Sequence, residues 1–537
     1  MADYKPLMMR DLLAREAIAQ IPKILTLLDR NPHSPTYGCF DRNFWQYKII
    51  DFPSGMSQEF VLPLALAYHT ELPDNPFYQQ PVFRDWVEAG ILYAARSAHA
   101  DGSCDDYFPF ERAGGAAAFS LLACIDSYKL MDLHNPAALA FFERRANWLA
   151  HHHESGQLTN HQALIVLCLE LLGNLLKTSQ WERERGERLE RVLSWQNPEG
   201  WFQEYEGCDP GYHTLTIACL ARIDQLRPDP RVKEALRQAV ELAAHFIHPD
   251  GSYGGEYASR NTYNFFPHGF ELVGRWLPEA LWINDQFLVG LQNGLAPCYA
   301  DDHIIGHHTW NYLLAWHDFV PQRPAPVPRP TGRLWLKNAG ILIDRRDSTE
   351  LYLALNKGGV FKLFRDGRLV ASDTQFSVQV TQGGKRKNAV AHLVGRYESE
   401  VEEDTIAIQG QLGWAKQKQM TPFNLMILRV VMLTIGRFFP NLIRKLLQKM
   451  LITGKQPAPF RFHRRLEWRD GQWQIRDDLK AESWQGVETV GIGGDQTSIY
   501  VVMSRTFQRG QLQPWLDLTA KAKSLPAGEI LHLERSL

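Results

Sequence analysis

The stretch from Asn197 to Ile223, NPEGWFQEYEGCDPGYHTLTIACLARI, decides the fold. A glycine-bearing turn runs into aromatic and polar residues, then Asp209, Tyr212 and His213, and then an apolar run of helical character. Polar chemistry therefore sits at the mouth of a helix whose remainder is core.

The same plan recurs through the first 320 residues. Loop-then-helix units begin at Asp51 (DFPSGMSQEFVLPLALAY), Ala100 (ADGSCDDYFPFERAGGAAAFSLLACI) and Glu154 (ESGQLTNHQALIVLCLEL). After the opening stretch come units at His248 (HPDGSYGGEYASRNTYNFFPHGFELVG) and Ala296 (APCYADDHIIGHHTWNYLLAW). Their spacing of about 45 to 55 residues is room for two helices and their turns. Amphipathic segments such as PRVKEALRQAVELAAHFI lie between them and read as outer helices. Helical hairpins in series predict an incomplete (α/α) toroid over residues 1–320, with the loops before its inner helices sharing one rim.

Residues 318–333, DFVPQRPAPVPRPTGR, are crowded with prolines and read as an extended linker, placed at 321–333. Beyond it the period changes from helical to alternating, as in RLWLKNAGILIDRR and ELYLALNKGGVFKLF, with Asp-Gly turns at Asp366-Gly367 and Asp470-Gly471. Residues 334–537 are therefore read as an antiparallel β-sandwich domain, and the chain as a multidomain α and β protein.

Thr421 to Thr453 interrupts that sandwich with an apolar helical segment broken at Pro440. Between Asp404 and Glu467 lie eleven Lys and Arg and no acidic residue. Two readings stand side by side: a basic amphipathic pair making peripheral contact with a membrane surface through 421–453, or a helical insertion packed on the toroid or serving as a polyanion-facing flap.

A net charge of −2 gives no general attraction for nucleic acid, so none is expected as a partner. The N-terminus carries Asp3, Asp11 and Glu16 and no secretory apolar segment, which predicts a cytoplasmic location. Seven cysteines without C-x-x-C spacing read as free thiols in a reducing compartment. Asp301 and Asp302 stand near His303, His307 and His308, but neighbours in one loop need not converge on an ion; no metal and no cofactor is expected.

The candidate chemistry lies where successive rim loops meet. Asn160-His161 opens one inner helix, Tyr212 the next, and Arg260 follows in the fifth unit. Such a set suits β-elimination on a uronic acid, whose C5 proton is only weakly acidic. Cationic or hydrogen-bonding groups must stabilise the enolate-like intermediate while an acid/base pair moves protons. Asn160, His161, Tyr212 and Arg260 are the candidate catalytic residues. Glu59, Asp105, Trp201, His213, Tyr257, Asn261, His303 and His307 are candidate substrate contacts.

The Asn-His pair with a tyrosine about fifty residues later resembles the heparinase II/III and alginate lyase type of polysaccharide lyase. The resemblance implies a toroid joined to a sandwich, a uronate-containing acidic polysaccharide or oligosaccharide as partner, and no redox cofactor. It gives Asn160 the part of carboxylate neutraliser, His161 that of base or stabiliser, and Tyr212 that of general acid/base. The family's early sandwich supplies a histidine segment to the cleft; here LALNKGGVFKLFRDGRLVASDTQF has none. His392 and His463 remain in the sandwich; either Lys357 or His303 takes the missing part, or the reaction differs, or activity has been lost.

Two other classes fit parts of the pattern. A toroidal glycoside hydrolase would draw paired carboxylates from Asp105, Asp106, Glu204, Asp209, Glu256 or Asp301. A non-catalytic glycan-binding or assembly protein at a membrane would use the basic insertion.

Overall fold

The structure is a computed structural model that describes residues 4–154, 156–205, 207–298, 304–415, 420–448, 456–498 and 506–537. The helices are α1 (Tyr4–Ile18), the short α2 (Ile21–Leu27) and α3 (Arg42–Trp45), α4 (Val61–His69), α5 (Pro81–Ser97), α6 (Gly114–Leu130) and α7 (Pro136–His151). They continue with α8 (Thr159–Leu176), α9 (Glu182–Ser194), α10 (Pro210–Leu226), α11 (Pro230–Phe246), α12 (His268–Val273), α13 (Glu279–Gln292) and α14 (Ile304–His317).

Inner and outer helices differ as their sequences require. GGAAAFSLLACI makes α6 buried on nearly every face, so it belongs inside the ring. In α11, Val232, Leu236, Ala239, Val240 and Ala243 form one buried stripe opposite charged residues, so it lies outside. Asp229 caps α11 and Asp209 caps α10, each with proline in the first turn. The even-numbered helices from α4 to α14 pack in sequence around the ring, and α14 meets α4. What completes the outer layer is α1, which packs on α13 and α14 although it comes first in the chain.

No regular element occupies the residues between α14 and β1. Arg329 in this stretch donates to Glu350 Oε1 at 2.6 Å and to the Ile247 carbonyl at 2.7 Å, tying it to sandwich and toroid at once.

The first sheet is an antiparallel meander of β1 (Gly332–Leu336), β2 (Ile341–Arg346), β3 (Thr349–Ala354), β4 (Val360–Arg365) and β5 (Arg368–Asp373). The second sheet contains β6 (Phe376–Gln382), β7 (Lys385–Val390), β8 (Glu398–Val401), β9 (Thr405–Trp414), β10 (Pro457–Arg469), β11 (Gln472–Ala481), β12 (Val487–Ile492), β13 (Leu516–Asp517) and β14 (Ile530–Ser536). Its order is β13-β12-β6-β7-β9-β10-β11-β14, with β8 on β9.

All six residues of β3 are buried, unusual for an antiparallel strand with only one face on a core. The reason is a three-layer arrangement. Leu351 and Leu353 face the second sheet, while Tyr352 and Ala354 pack into the toroid core. The sandwich thus braces the toroid over a broad apolar face.

Between β9 and β10 the insertion forms α15 (Pro422–Val431), a π-helical turn at Met432–Gly436 and α16 (Pro440–Gln448).

Candidate functional site

Three rim loops converge as the repeat pattern implies. Thr159 Oγ1 donates to the Gln203 carbonyl at 2.6 Å, fastening the start of α8 to the loop before α10. This brings Asn160 onto Glu204: its backbone N–H donates to Oε1 and its Nδ2 to Oε2, both at 2.8 Å. Burial pushes the Glu204 carboxyl up to about 7; the Asn160 bonds and the nearby His161 act against that rise, and Asp209 adds to it. Asn160 Oδ1 is buried without a hydrogen-bond partner among the described residues.

His161 Nδ1 lies 2.6 Å from Glu154 Oε2. The same carboxylate group takes the Gly115 N–H at 3.2 Å, so the mouths of α6 and α8 are locked together. Glycine is required at 115, because a Cβ there would come within 2.5 Å of His161 Cε1. A carboxylate on Nδ1 fixes the ring and favours the tautomer whose Nε2 accepts a proton.

Asp209 organises the other half. Besides capping α10 through the Tyr212 N–H at 3.1 Å, it accepts the Arg260 N–H at 3.0 Å and the Thr262 hydroxyl. One buried carboxylate therefore positions both Tyr212 and Arg260. The Arg260 guanidinium lies 3.7 Å from the Tyr205 ring centroid. Arg260 is only 3% exposed, yet its Nε and Nη2 have no hydrogen-bond partner among the described residues. Burial pushes the half-buried Tyr212 phenol well above its ordinary range, opposed by Arg260 and reinforced by Tyr205, Asp209 and Glu204. Tyr212 is thus a neutral phenol that can donate a proton.

The sandwich contribution expected of Lys357 has a different form. Its ammonium donates to the Glu256 carbonyl at 2.7 Å, the Ala258 carbonyl at 2.8 Å and Asn261 Oδ1 at 2.5 Å, which uses all three donors. Burial pushes this amine down to about 7. Lys357 holds the loop that presents Arg260, with Asn261 in the left-handed region at φ 57°. Asn261 is accordingly a partner of Lys357 rather than an open substrate contact. His392 is buried with Nδ1 on the Thr374 carbonyl at 3.0 Å, and His463 lies 4.0 Å from Asp478 on β10.

Several residues expected at the cleft lie elsewhere. Trp201 is 4% exposed and donates to Glu199 Oε2 at 3.0 Å. Glu199 in turn accepts the Asn338 and Ala339 N–H groups, so Trp201 braces the toroid–sandwich junction. His213 is buried with Nε2 on the Ala239 carbonyl at 2.9 Å, between α10 and α11, and burial pushes its imidazole down to about 4. Tyr257 bonds His248 at 3.1 Å and stacks on Tyr352 at the same junction. Asp105 is spent within its own loop on His99 and the Phe110 and Arg112 N–H groups. Glu59 and His307 pair at 2.6 Å deep in the ring, with His307 stacked 3.8 Å from Phe119. His303, Asp301 and Asp302 lie outside the described residues.

Asn160 also differs from its expected part, since Nδ2 is given to Glu204. The sequence pattern places Glu204 only among the hydrolase carboxylates and does not single out Glu154 or Tyr205. Both acids are visible in the rim loops, but a linear pattern cannot show that they face Asn160 and His161. Of the hydrolase carboxylates, Asp105, Asp106 and Asp209 are occupied by backbone or hydroxyl donors, and Glu256 lies 3.1 Å from Lys362. Among the described residues no group of three or more His, Cys, Asp or Glu could hold a metal ion.

No protein-family model matches the sequence, and no curated protein sequence matches it either. Solved structures do resemble the fold. The Y253A mutant of Streptomyces coelicolor A3 chondroitin AC lyase matches with TM-score 0.53 at 11% identity, over 97% of this chain and 78% of that one. The same lyase in complex with chondroitin sulphate gives 0.55 at 11% identity, over 90% and 68%. A Paenibacillus xanthan lyase gives 0.49 at 10% identity, over 90% and 46%. At such identity the likeness to the two chondroitin AC lyase structures establishes a shared toroid-plus-sandwich fold and no more.

Proposed function

We infer that the protein is a polysaccharide lyase-like enzyme that cleaves a uronate-containing glycan by β-elimination. The observation that carries this reading is the buried Arg260 guanidinium beside the neutral phenol of Tyr212, with Nε and Nη2 lacking a hydrogen-bond partner among the described residues. An unpaired buried cation is costly, and a carboxylate-bearing ligand repays that cost. The uronate carboxylate sits against Arg260, which spreads the charge that develops when the C5 proton leaves. His161, oriented by Glu154, takes that proton. The C4–C5 double bond forms as the C4–O bond breaks, and Tyr212 gives its proton to the departing oxygen. Proton return from His161 through solvent restores the phenol. Asn160 and Glu204 hold the α8 and α10 mouths in register beneath the sugar. The likeness in fold to a lyase solved with chondroitin sulphate supports this reading.

The test is a panel of acidic polysaccharides scored for the ultraviolet absorbance of an unsaturated uronate. New reducing ends without that chromophore would rule out elimination. Tyr212→Phe removes only the transferable proton and should lower kcat by about 10³-fold while KM moves little. Turnover within about threefold of wild type would take Tyr212 out of the proton-transfer role.

A further inference from the structure

The insertion between β9 and β10 is seated on the toroid by few contacts and leaves a large apolar face uncovered. Arg429 Nη2 pairs with Asp51 Oδ1 at 3.0 Å and its guanidinium lies 5.4 Å from the Phe52 ring centroid. Arg437 lies 5.4 Å from the Phe110 ring centroid, and Met432 is fully buried. Asp51, Phe52 and Phe110 belong to the loops before α4 and α6, so the insertion stands on the rim that carries the candidate site.

Its other side is bare. No residue of α15 is buried. Phe423, Met426, Val430, Phe438 and Phe439 are each 60% exposed or more, and Leu433, Ile435, Leu442 and Leu446 are more than half exposed. Soluble surfaces seldom gather so many large apolar side chains in one place without an occupant. The charge is equally one-sided: residues 415–456 hold eight Lys and Arg and no acidic residue. Two of the eight, Arg429 and Arg437, are engaged with the rim. The remaining six, Lys416, Lys418, Arg444, Lys445, Lys449 and Lys455, flank or continue the apolar segment in sequence.

We propose that this insertion docks the protein on an anionic lipid bilayer, lying in the interface with its phenylalanines among the acyl chains and its basic residues at the headgroups. Surplus positive charge and clustered aromatic and aliphatic side chains are the two properties that such a surface rewards together. A bare apolar protein partner would explain the phenylalanines but not the absence of any acid over this length. None of the helices among the described residues is long and apolar enough to cross a membrane. Seated beside the candidate site, the insertion would bring the toroid mouth to the lipid surface, where lipid-linked or surface-retained glycans are found. The proposal does not depend on the elimination chemistry.

Flotation of the full chain with phosphatidylglycerol-containing vesicles tests it, with phosphatidylcholine vesicles as the control. The wild-type chain should float with the anionic vesicles and remain below with the zwitterionic ones, and added salt should weaken binding. The triple variant Phe423→Ser, Phe438→Ser, Phe439→Ser touches only exposed positions and should keep the wild-type thermal midpoint while its bound fraction falls by at least about tenfold. Wild-type protein that stays below with anionic vesicles would overturn the proposal, as would a folded triple variant that floats equally well. Equal flotation with both lipids would overturn the role given to charge. Concentration-dependent self-association that the triple variant abolishes, without vesicle binding, would assign the face to a second copy of this chain instead.

Discussion

Two arginines are buried almost equally, Arg464 in the sandwich at 0% exposure and Arg260 on the toroid rim at 3%, yet their surroundings are opposite. Arg464 donates to Asp373 and Asp477 through four bonds of 2.5 to 3.1 Å and to the Gly359 carbonyl at 2.7 Å. Arg535 reaches the same two carboxylates and balances the cluster. Arg260 has a tyrosine face and no hydrogen-bond partner for Nε or Nη2 among the described residues. The fold satisfies one buried charge completely and leaves two nitrogens of the other without a hydrogen-bond partner among the described residues. On the proposed function, the first is scaffold and the second receives the uronate carboxylate.

The widest separation between the two should appear on removing each charge. Arg464→Met leaves Asp373 and Asp477 buried with too little positive charge, and should cost about 3–5 kcal/mol of stability in urea unfolding. Arg260→Met removes a cation that makes no ion pair among the described residues, although its charge helps hold Asp209 down, so unfolding should shift by only about 1 kcal/mol. Its effect should fall on turnover instead, at about 10²-fold or more. Equal destabilisation by the two substitutions would erase the distinction and return Arg260 to the scaffold.

A second separation concerns buried carboxyls. Asp373 is held below its ordinary value: burial alone would raise it, but Arg464 and Arg535 outweigh that effect. Glu204 has no such cation, and burial lifts it from 4.5 to about 7. Below the lower value both folded and unfolded chains carry the proton. Between the two values the folded state holds more protons than the unfolded, so stability falls as pH rises through that window. The loss is about 3 kcal/mol in total and levels off above the folded value. Glu204→Gln cannot ionise and still accepts from Asn160, so its thermal midpoint should gain on wild type between about pH 5 and about pH 8. Parallel midpoints over that range would mean that Glu204 is an ordinary ionised carboxylate.

How far the sequence reached follows the same division between local pattern and long-range partnership. The ring was legible because α6 and α11 announce their burial in their own residues, and because loop-then-apolar-helix units recur at a regular spacing. The convergence of Asn160, Tyr212 and Arg260 on one rim followed from that repeat. Their partners did not. Glu204 lies forty-four residues from Asn160, and Lys357 lies ninety-six from Asn261. No periodicity records such pairings. Trp201, His213 and Tyr257 have the chemistry of sugar contacts and sit in rim units, but an aromatic or histidine next to a rim turn can equally face the next helix or the sandwich. The two-sided burial of β3 was also hidden, since Leu351, Tyr352, Leu353 and Ala354 read as a strand without saying what covers each face.

Trp201 offers the smallest and most discriminating difference, between a residue at the junction and one in the cleft. Its indole donates to Glu199, which keeps the Asn338 and Ala339 N–H groups after the indole is gone. Trp201→Phe therefore deletes one hydrogen bond and some ring volume from a junction that remains otherwise paired. A loss of about 1–2 kcal/mol is expected on thermal unfolding. Because the ring is only 4% exposed and its indole is engaged with Glu199, KM and kcat should each stay within about twofold of wild type. A rise in KM of about tenfold with unchanged stability would move Trp201 out of the junction and into the path of the glycan.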